Sequence, residues 1–145
     1  MSYPPLVKYT TEADYREHFR KKYCKGPIVT FDGIPVIFSP KDFDHAFYES
    51  SSKKQPDKKI FSAVRTERMD WIEEALLDKN AELHPGWDRE RKNYDHTRRV
   101  ALANGDHVVV IKILKSGNAR FKTAYPADNI RTLTKIKSSP QWKGP

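Results

Sequence analysis

The C-terminal half of the chain contains four extended segments separated by short turn clusters, and this pattern constrains the fold more than any other feature. In chain order the segments are ELHPGWD, HTRRVALANG, HVVVIKILKSG and ARFKTAYP. The clusters NGD (residues 104–106) and SGN (residues 116–118) have the length of hairpin turns. Such clusters favour hairpins because Gly and Asn tolerate positive φ angles. We therefore predict a four-stranded antiparallel meander.

The last segment, residues 119–126, alternates along its length and ends at a proline. In a regular strand this spacing places Phe121, Thr123 and Tyr125 on one face, with Arg120 and Lys122 on the other. Buried strands usually carry Val, Ile or Leu. A row with two hydroxyl groups therefore favours a surface that meets a polar ligand.

A helix and a hairpin are predicted at the start of the chain, over residues 11–38. Thr11 can cap the helix, which places Tyr15, Phe19 and Tyr23 on one face. The following segment, PIVTFDGIPVIF, consists of two β-branched runs around Asp32-Gly33. This dipeptide favours a tight turn because both residues tolerate positive φ.

Two helices are predicted in the middle of the chain and one near its end. The segment SPKDFDHAFYES has Ser39 in the position of a cap and Pro40 at the first helical position. The longest helix is predicted from Ile60 to about Asp78, where apolar residues follow helical spacing. The segment NIRTLTKIKSS is compatible with a short helix that closes the sheet, and QWKGP is expected to fray.

These elements describe a single α+β domain over residues 1–145, in which N-terminal helices pack on a four-stranded antiparallel sheet. A chain of 145 residues is long enough for one modest core but not for two. One face of the sheet is expected to pack on the helices. The other face is left for solvent or a substrate.

The charge of the chain indicates the class of partner. There are 27 Lys and Arg residues against 19 Asp and Glu, a formal net charge of +8. Such an excess favours polyanionic partners, namely RNA, DNA or an acidic protein. The lysine-rich loop SSSKKQPDKK is expected to be exposed, and it either contacts phosphates or only solubilises the surface. The candidate RNA-binding lysines are Lys53, Lys54, Lys58, Lys59, Lys112 and Lys122.

The single cysteine, Cys24, excludes an internal disulfide and favours a reducing compartment. No Cys/His cluster has zinc-ligand spacing and no phosphate-binding glycine loop is present, so neither a metal nor another cofactor is predicted. The N-terminus lacks the apolar core of a signal peptide, and no apolar run is long enough to span a bilayer. We expect a cytoplasmic protein with no membrane partner.

Two arginines interrupt the apolar stripe of the longest predicted helix. Phe61, Arg65, Arg68 and Ile72 have the spacing of one helix face. In one interpretation the arginines lie at the edge of the stripe and reach water or pair with Glu67 or an acidic loop. In the other they bind phosphate, because a guanidinium matches two phosphate oxygens and stabilises the charge of phosphoryl transfer.

A positioned histidine can act as a general base near neutral pH. His45 is the preferred candidate because it lies on a short capped helix between Phe43 and Phe47, and a rigid element positions a catalytic group better than a loop. A lone helical histidine can equally be structural. His96 and His107 border predicted strands and are weaker candidates, whereas His18 and His84 have no suggestive neighbours.

The order of these segments resembles a known family. HAFY, then FSAVRTERMDWI, then YDHTRRVALANGDHVVVIKI and ARFKTAYP look like the phage-associated branch of the barnase, EndoU, colicin and RelE-like ribonuclease superfamily. The resemblance covers about residues 37–142 and rests on the whole pattern rather than on one specific motif. It implies helices packed on a four-stranded antiparallel sheet with a metal-independent RNA-cleaving cleft. Such domains often act as toxins or as parts of phage-delivered effectors.

The resemblance also implies roles for individual residues. The family's helical histidine corresponds to His45, and the arginine of its F-x-x-x-R helix corresponds to Arg65, with Arg68 one turn later. Its terminal-strand hydroxyl corresponds to Thr123, and the aromatic residue two positions later corresponds to Tyr125. The chain departs from the two-histidine arrangement of EndoU, because no second histidine can be placed beside the first. The general acid is therefore unassigned.

Together these observations predict an endoribonuclease in which an RNA 2′-hydroxyl attacks the adjacent phosphate and leaves a 2′,3′-cyclic phosphate. RNA is the expected partner, and a cognate acidic inhibitor or immunity protein is a further partner to test. Two alternatives remain open. One is a nucleic-acid-binding module of the same fold that does not cleave, and the other is an interaction domain of a phage protein.

Overall fold

The structure is a computed structural model that describes residues 3–49 and 60–145. The helices in these residues are α1 (Glu12–Tyr23), α2 (Asp42–Phe47), α3 (Ala63–Glu67), α4 (Asp70–Leu77) and α5 (Ile130–Lys137). The strands are β1 (Ile28–Val29), β2 (Pro35–Ile37), β3 (Tyr48–Glu49), β4 (Ile60–Phe61), β5 (Glu82–Asp88), β6 (Asn93–Ala103), β7 (His107–Ile113) and β8 (Ala119–Pro126). None of the described helices is both long and apolar enough to cross a membrane.

Six strands form one mixed sheet in the order β1-β2-β8-β7-β6-β5. Strands β5 to β8 form the antiparallel meander that the turn clusters predict, and the α+β class is confirmed. The prediction of a four-stranded, wholly antiparallel sheet is wrong. The β1–β2 hairpin joins the meander because β2 pairs with β8 in parallel. Strands β3 and β4 form a separate two-stranded sheet.

The main core lies between the sheet and helices α1, α2 and α4. As predicted, Thr11 caps α1 by accepting a hydrogen bond from the N–H of Asp14 at 3.2 Å. Phe19 of α1 lies at the centre of a cluster of rings that includes Tyr23, Phe38, Phe43, Phe47 and Phe121. Each fully buried ring of this kind contributes about 1.5–3 kcal/mol. This cluster holds α1 and α2 against β8.

The prediction of one helix from Ile60 to Asp78 is wrong. Ile60 and Phe61 pair with β3 instead, and the N–H of Ser62 donates to the carbonyl of Phe47 at 2.8 Å. The hydroxyl of Ser62 then caps α3, because it accepts the N–H of Arg65 at 3.3 Å. After α3 the chain turns and begins α4 at Asp70. The predicted single face with four aligned residues therefore does not exist.

The predicted alternation along β8 is also wrong. The pairing of β7 with β8 shifts between Val110, which is opposite Thr123, and Ile111, which is opposite Phe121. Lys122 is the extra residue of this β-bulge. Because consecutive residues of β7 point to opposite faces, Phe121 and Thr123 also lie on opposite faces.

Phe121 faces the helices, as its 1% exposure and its stacking on Phe38 show. We call the opposite side of the sheet the outer face. Thr123 and Tyr125 lie on it. Helix α5 covers part of this face, where Leu133 and Ile136 pack near strands β6 and β7.

Helix α5 is confirmed where the sequence predicts it, but the prediction that the tail after it frays is wrong. The backbone N–H of Trp142 donates to the carbonyl of Leu83 at 2.8 Å. Its indole Nε1–H donates to the carbonyl of His96 at 2.7 Å. The tail is therefore fixed along the β5 edge of the sheet.

Candidate functional site

The candidate site lies along one edge of strand β8. Strand β7 pairs with β8 from end to end, whereas β2 pairs only with Ala119 and Arg120. Helices α2 and α3 contact the rest of β8. Two clefts form in this region, and we name them after the residue of interest in each: the Arg65 cleft and the His45 cleft.

The Arg65 cleft lies between α3, the end of β8 and the start of α5, and has a volume of about 270 Å³. The residues that matter for its chemistry are Glu49, Arg65, Tyr125, Asp128 and Thr132. Arg65 is placed by the short α3 helix, whose first turn is capped by the Ser62 hydroxyl, which accepts the backbone N–H of Arg65. A helix of one and a half turns, fixed at its start by a side-chain cap, positions the guanidinium over the strand.

The guanidinium of Arg65 makes three contacts. Its Nη1–H donates to the carbonyl of Ala46 at 3.1 Å, and its Nη2 lies 3.6 Å from the carboxylate of Glu49. Its central carbon lies 5.3 Å from the centre of the Tyr125 ring, within range of a cation–π interaction. A guanidinium has five N–H donors. Among the described residues only one of them makes a hydrogen bond, so the others can receive an anion.

Tyr125 is the second functional side chain in the Arg65 cleft. Burial raises the pKa of its phenol, and the nearby charge of Arg65 offsets part of this effect. The phenol is therefore protonated at neutral pH and can donate a hydrogen bond. Within residues 3–49 and 60–145 its hydroxyl has no hydrogen-bond partner.

The His45 cleft lies between α2 and the first half of β8, and has a volume of about 460 Å³. Its lining residues are Lys41, Asp42, His45, Arg120, Phe121 and Lys122. Helix α2 begins at Asp42 rather than at Pro40, and the residue in the cap position is Lys41, whose side chain makes no capping hydrogen bond. The Asp42 carboxylate accepts the backbone N–H of Ser39 at 2.8 Å. His45 is exposed in the last turn of this helix.

The two clefts have no lining residue in common, and they are related through α2 and β8. The carbonyl that accepts the hydrogen bond from the Arg65 guanidinium belongs to Ala46, the residue directly after His45. On β8, Lys122 lines the His45 cleft and Tyr125 lines the Arg65 cleft, with the half-buried Thr123 between them. The structure thus brings Arg65 and Tyr125 into direct contact and places His45 and Thr123 on the adjoining turn and strand.

Arg68 lines neither cleft. Its Nη1–H donates to the carbonyl of Val64 at 2.8 Å, and its charge lies 5.3 Å from the ring of Trp71. Arg68 is separated from the Arg65 cleft because α3 ends at this residue and does not continue into α4. The Arg68 side chain folds back along α3. A direct role for Arg68 at the same phosphate as Arg65 is not supported by these contacts.

The candidate RNA-binding lysines fall into three groups. Lys122 lines the His45 cleft. Lys112 lies on the outer face, where its ammonium donates to Asp95 at 3.0 Å and to the hydroxyl of Thr97. The remaining four lie outside the described residues: Lys53, Lys54, Lys58 and Lys59.

Sequence reasoning missed Arg120 as a site residue. It was expected on the face opposite Thr123 and Tyr125, but the bulge at Lys122 places it on the outer face with them. A bulge inserts one residue without a distinctive sequence signal, so alternation alone could not have found this residue.

A second polar cluster was also missed, on the far side of α1. His18 Nε2 lies 2.7 Å from the carboxylate of Asp70, and His18 Nδ1 lies 2.9 Å from the hydroxyl of Tyr9. Lys22 also pairs with Asp70, at 3.1 Å. These residues are up to 61 positions apart in the printed sequence, so no local motif indicates them. The cluster ties the N-terminal segment to α1 and α4.

Over the described ranges, no three His, Cys, Asp or Glu side chains come together as metal ligands would. Comparisons with known proteins return no match: no family model, no curated protein and no solved structure matches this chain.

Proposed function

We propose that this protein is an endoribonuclease that cleaves RNA without a metal ion and leaves a 2′,3′-cyclic phosphate. The observation that carries the proposal is the contact between Arg65 and Tyr125 at the edge of β8, beside the helix that bears His45. A cation with free donors, a protonated phenol and an exposed imidazole meet the requirements of phosphoryl transfer.

The proposed reaction is an internal displacement. His45 removes the proton of the RNA 2′-hydroxyl, and the 2′-oxygen forms a bond to the adjacent phosphorus. The bond from phosphorus to the 5′-oxygen breaks, and that oxygen leaves with a proton from an acid that is not assigned. Arg65 stabilises the negative charge that develops on the phosphorane, while Thr123 and Tyr125 donate hydrogen bonds to phosphate oxygens. General acid–base catalysis and charge stabilisation each contribute on the order of 100-fold or more.

The contacts of Arg65 support a phosphate ligand over a purely structural role. Its ion pair with Glu49 is long, at 3.6 Å, and the carboxylate is about half exposed. The Arg65 side chain is largely buried, but a pair that is long and half exposed on the carboxylate side contributes only about 1 kcal/mol or less. A phosphate can therefore replace Glu49 at little cost, and its two oxygens match the planar guanidinium better than a single carboxylate oxygen does.

The direct test is cleavage of RNA by the purified protein in the presence of EDTA, followed by analysis of the product ends. We expect 2′,3′-cyclic phosphate and 5′-hydroxyl ends, and no cleavage when the nucleotide at the scissile position carries a 2′-deoxy sugar. Tight RNA binding without cleavage would instead support a binding module of the same fold. Neither binding nor cleavage, together with capture of an acidic protein, would support an interaction domain.

A further inference from the structure

Three cationic side chains lie side by side across the outer face of the sheet. Arg98 of β6 is directly opposite Lys112 of β7, and Lys112 is directly opposite Arg120 of β8. Residues opposite each other in antiparallel strands point to the same face. Neighbouring strands are about 4.8 Å apart, so the three Cα atoms span about 10 Å. We call this set the cationic row.

The residues that the structure describes neutralise the cationic row only in part. Lys112 has a full partner in Asp95, at 3.0 Å. Arg120 has only a distant one, because Asp42 lies 3.9 Å away. Arg98 is exposed and makes no ion pair within residues 3–49 and 60–145. Two of the three charges are therefore available to a ligand.

Like charges directly opposite each other destabilise a sheet, and a bound anion removes that repulsion. The side chain of Arg98 is also held close to the strand. A Cβ atom on Gly86 would lie 2.3 Å from its Cδ, so the arginine occupies the space that a side chain at position 86 would need. The aliphatic part of Arg98 thus packs across β5 while its charge stays in solvent.

The surroundings of the cationic row extend the positive surface. At one end, Arg120 also lines the His45 cleft. Helix α5 packs on the same face and carries Arg131, Lys135 and Lys137, with no acidic residue among its eight positions. A polyanion that leaves the His45 cleft over the outer face therefore meets a succession of positive charges.

We infer that the cationic row binds successive phosphates of a single RNA strand whose scissile phosphate lies at the edge of β8. This inference rests on the proposed function, since it identifies the path of the same substrate. The three side chains of the row are all cationic, and cationic contacts to phosphates carry no sequence information directly. The row therefore contributes affinity that is largely independent of base sequence.

The test measures binding of a short single-stranded RNA that cannot be cleaved, with 2′-deoxy sugars throughout the scissile region, as a function of salt concentration. Each phosphate contact to a single strand adds about 0.7 to the slope of log affinity against log salt. We expect Arg98→Ala to lower the slope by about this amount and to weaken binding roughly tenfold at low salt. Lys21→Ala on α1 is the matched control, because it removes another exposed cation, from the helix side of the protein, and should leave the slope unchanged.

The outcomes separate this inference from the proposed function. RNA binding with an unchanged slope in Arg98→Ala overturns the inference and leaves the proposed function intact. The same loss in Arg98→Ala and Lys21→Ala also overturns it, because binding would then depend only on net charge. Gly86→Ala provides a variant that keeps the charge but displaces it. Weaker RNA binding in this variant, with an unchanged melting temperature, supports the inference.

Discussion

The carboxylate of Asp32 lies 2.7 Å from the guanidinium of Arg99, whose side chain is only 1% exposed. Arg99 belongs to β6, and Asp32 to the turn between β1 and β2. The guanidinium also lies between 5 and 6 Å from the rings of Phe31 and Trp142. One buried charge therefore connects the N-terminal hairpin, the central sheet and the C-terminal tail.

Because Arg99 is buried and Asp32 is partly exposed, removing one partner should destabilise the fold more than removing the other. In Asp32→Asn the buried Arg99 loses its counter-charge and cannot be hydrated, so we expect a loss of about 3 kcal/mol in the free energy of unfolding. In Arg99→Met the remaining Asp32 is partly exposed and can be hydrated, so we expect a smaller loss. Chemical denaturation of both variants measures the difference. An Arg99→Met variant that is clearly less stable than Asp32→Asn would contradict this account.

His107 predicts a pH dependence of stability. Its side chain is 1% exposed, and neither ring nitrogen has a hydrogen-bond partner among the described residues. Burial, with a smaller effect of the Arg68 charge, lowers its pKa from 6.5 to about 4. Between pH 6.5 and about 4, His107 is therefore protonated in the unfolded state but stays neutral in the folded state. The stability from neutral His107 is complete above pH 6.5 and is lost as the pH falls toward 4.

The size of this effect is about 3–4 kcal/mol, since each pKa unit corresponds to about 1.4 kcal/mol. His107→Phe retains a flat ring against Trp71 and cannot be protonated. His107→Leu also cannot be protonated, and its side chain is smaller than that of Phe. Either variant should show a flatter dependence of unfolding free energy on pH between 6.5 and 4. An unchanged slope in both variants would show that other groups cause the acid sensitivity.

The parts of the fold that could be predicted from the sequence have local causes. The meander follows from turn clusters, and the helix after Thr11 follows from a cap and a buried face of Tyr15, Phe19 and Tyr23. The prediction of one long helix was wrong because the pairing of Phe61 with β3 and the cap by Ser62 outweigh the helical periodicity. The pairing with β3 is a tertiary contact, which a single sequence does not reveal, whereas the Ser62 cap is a local contact.

The candidate site shows the same division. The sequence identified Arg65 and Tyr125 as candidates, and the structure brings them into contact. It could not show that Arg68 lies elsewhere, because that depends on where α3 ends. The predicted alternation also assigned Arg120 to the wrong face of the sheet. The extra residue of the bulge reverses the direction of every side chain that precedes it on β8.

Arg65→Lys separates a phosphate-binding role from a structural one. The variant keeps the charge but replaces a planar fork with a point charge, which cannot contact two phosphate oxygens in the same way. We expect cleavage to fall by about 100-fold while RNA affinity changes little. The melting temperature should also change little, because the ion pair with Glu49 is long and its carboxylate is about half exposed. Full activity would remove Arg65 from the site, and a large drop in melting temperature would indicate a structural role.

His45 is exposed on α2 and lines the His45 cleft together with Arg120 and Lys122. If its imidazole removes the 2′-hydroxyl proton, His45→Ala should reduce the cleavage rate by roughly 100-fold or more and abolish the acid limb of the pH–rate profile. Binding of a non-cleavable RNA should be nearly unchanged. His96→Ala is the matched control, because His96 is also exposed but lies on β6, away from both clefts. An acid limb that persists in His45→Ala would assign the base to another group, even if the rate were reduced.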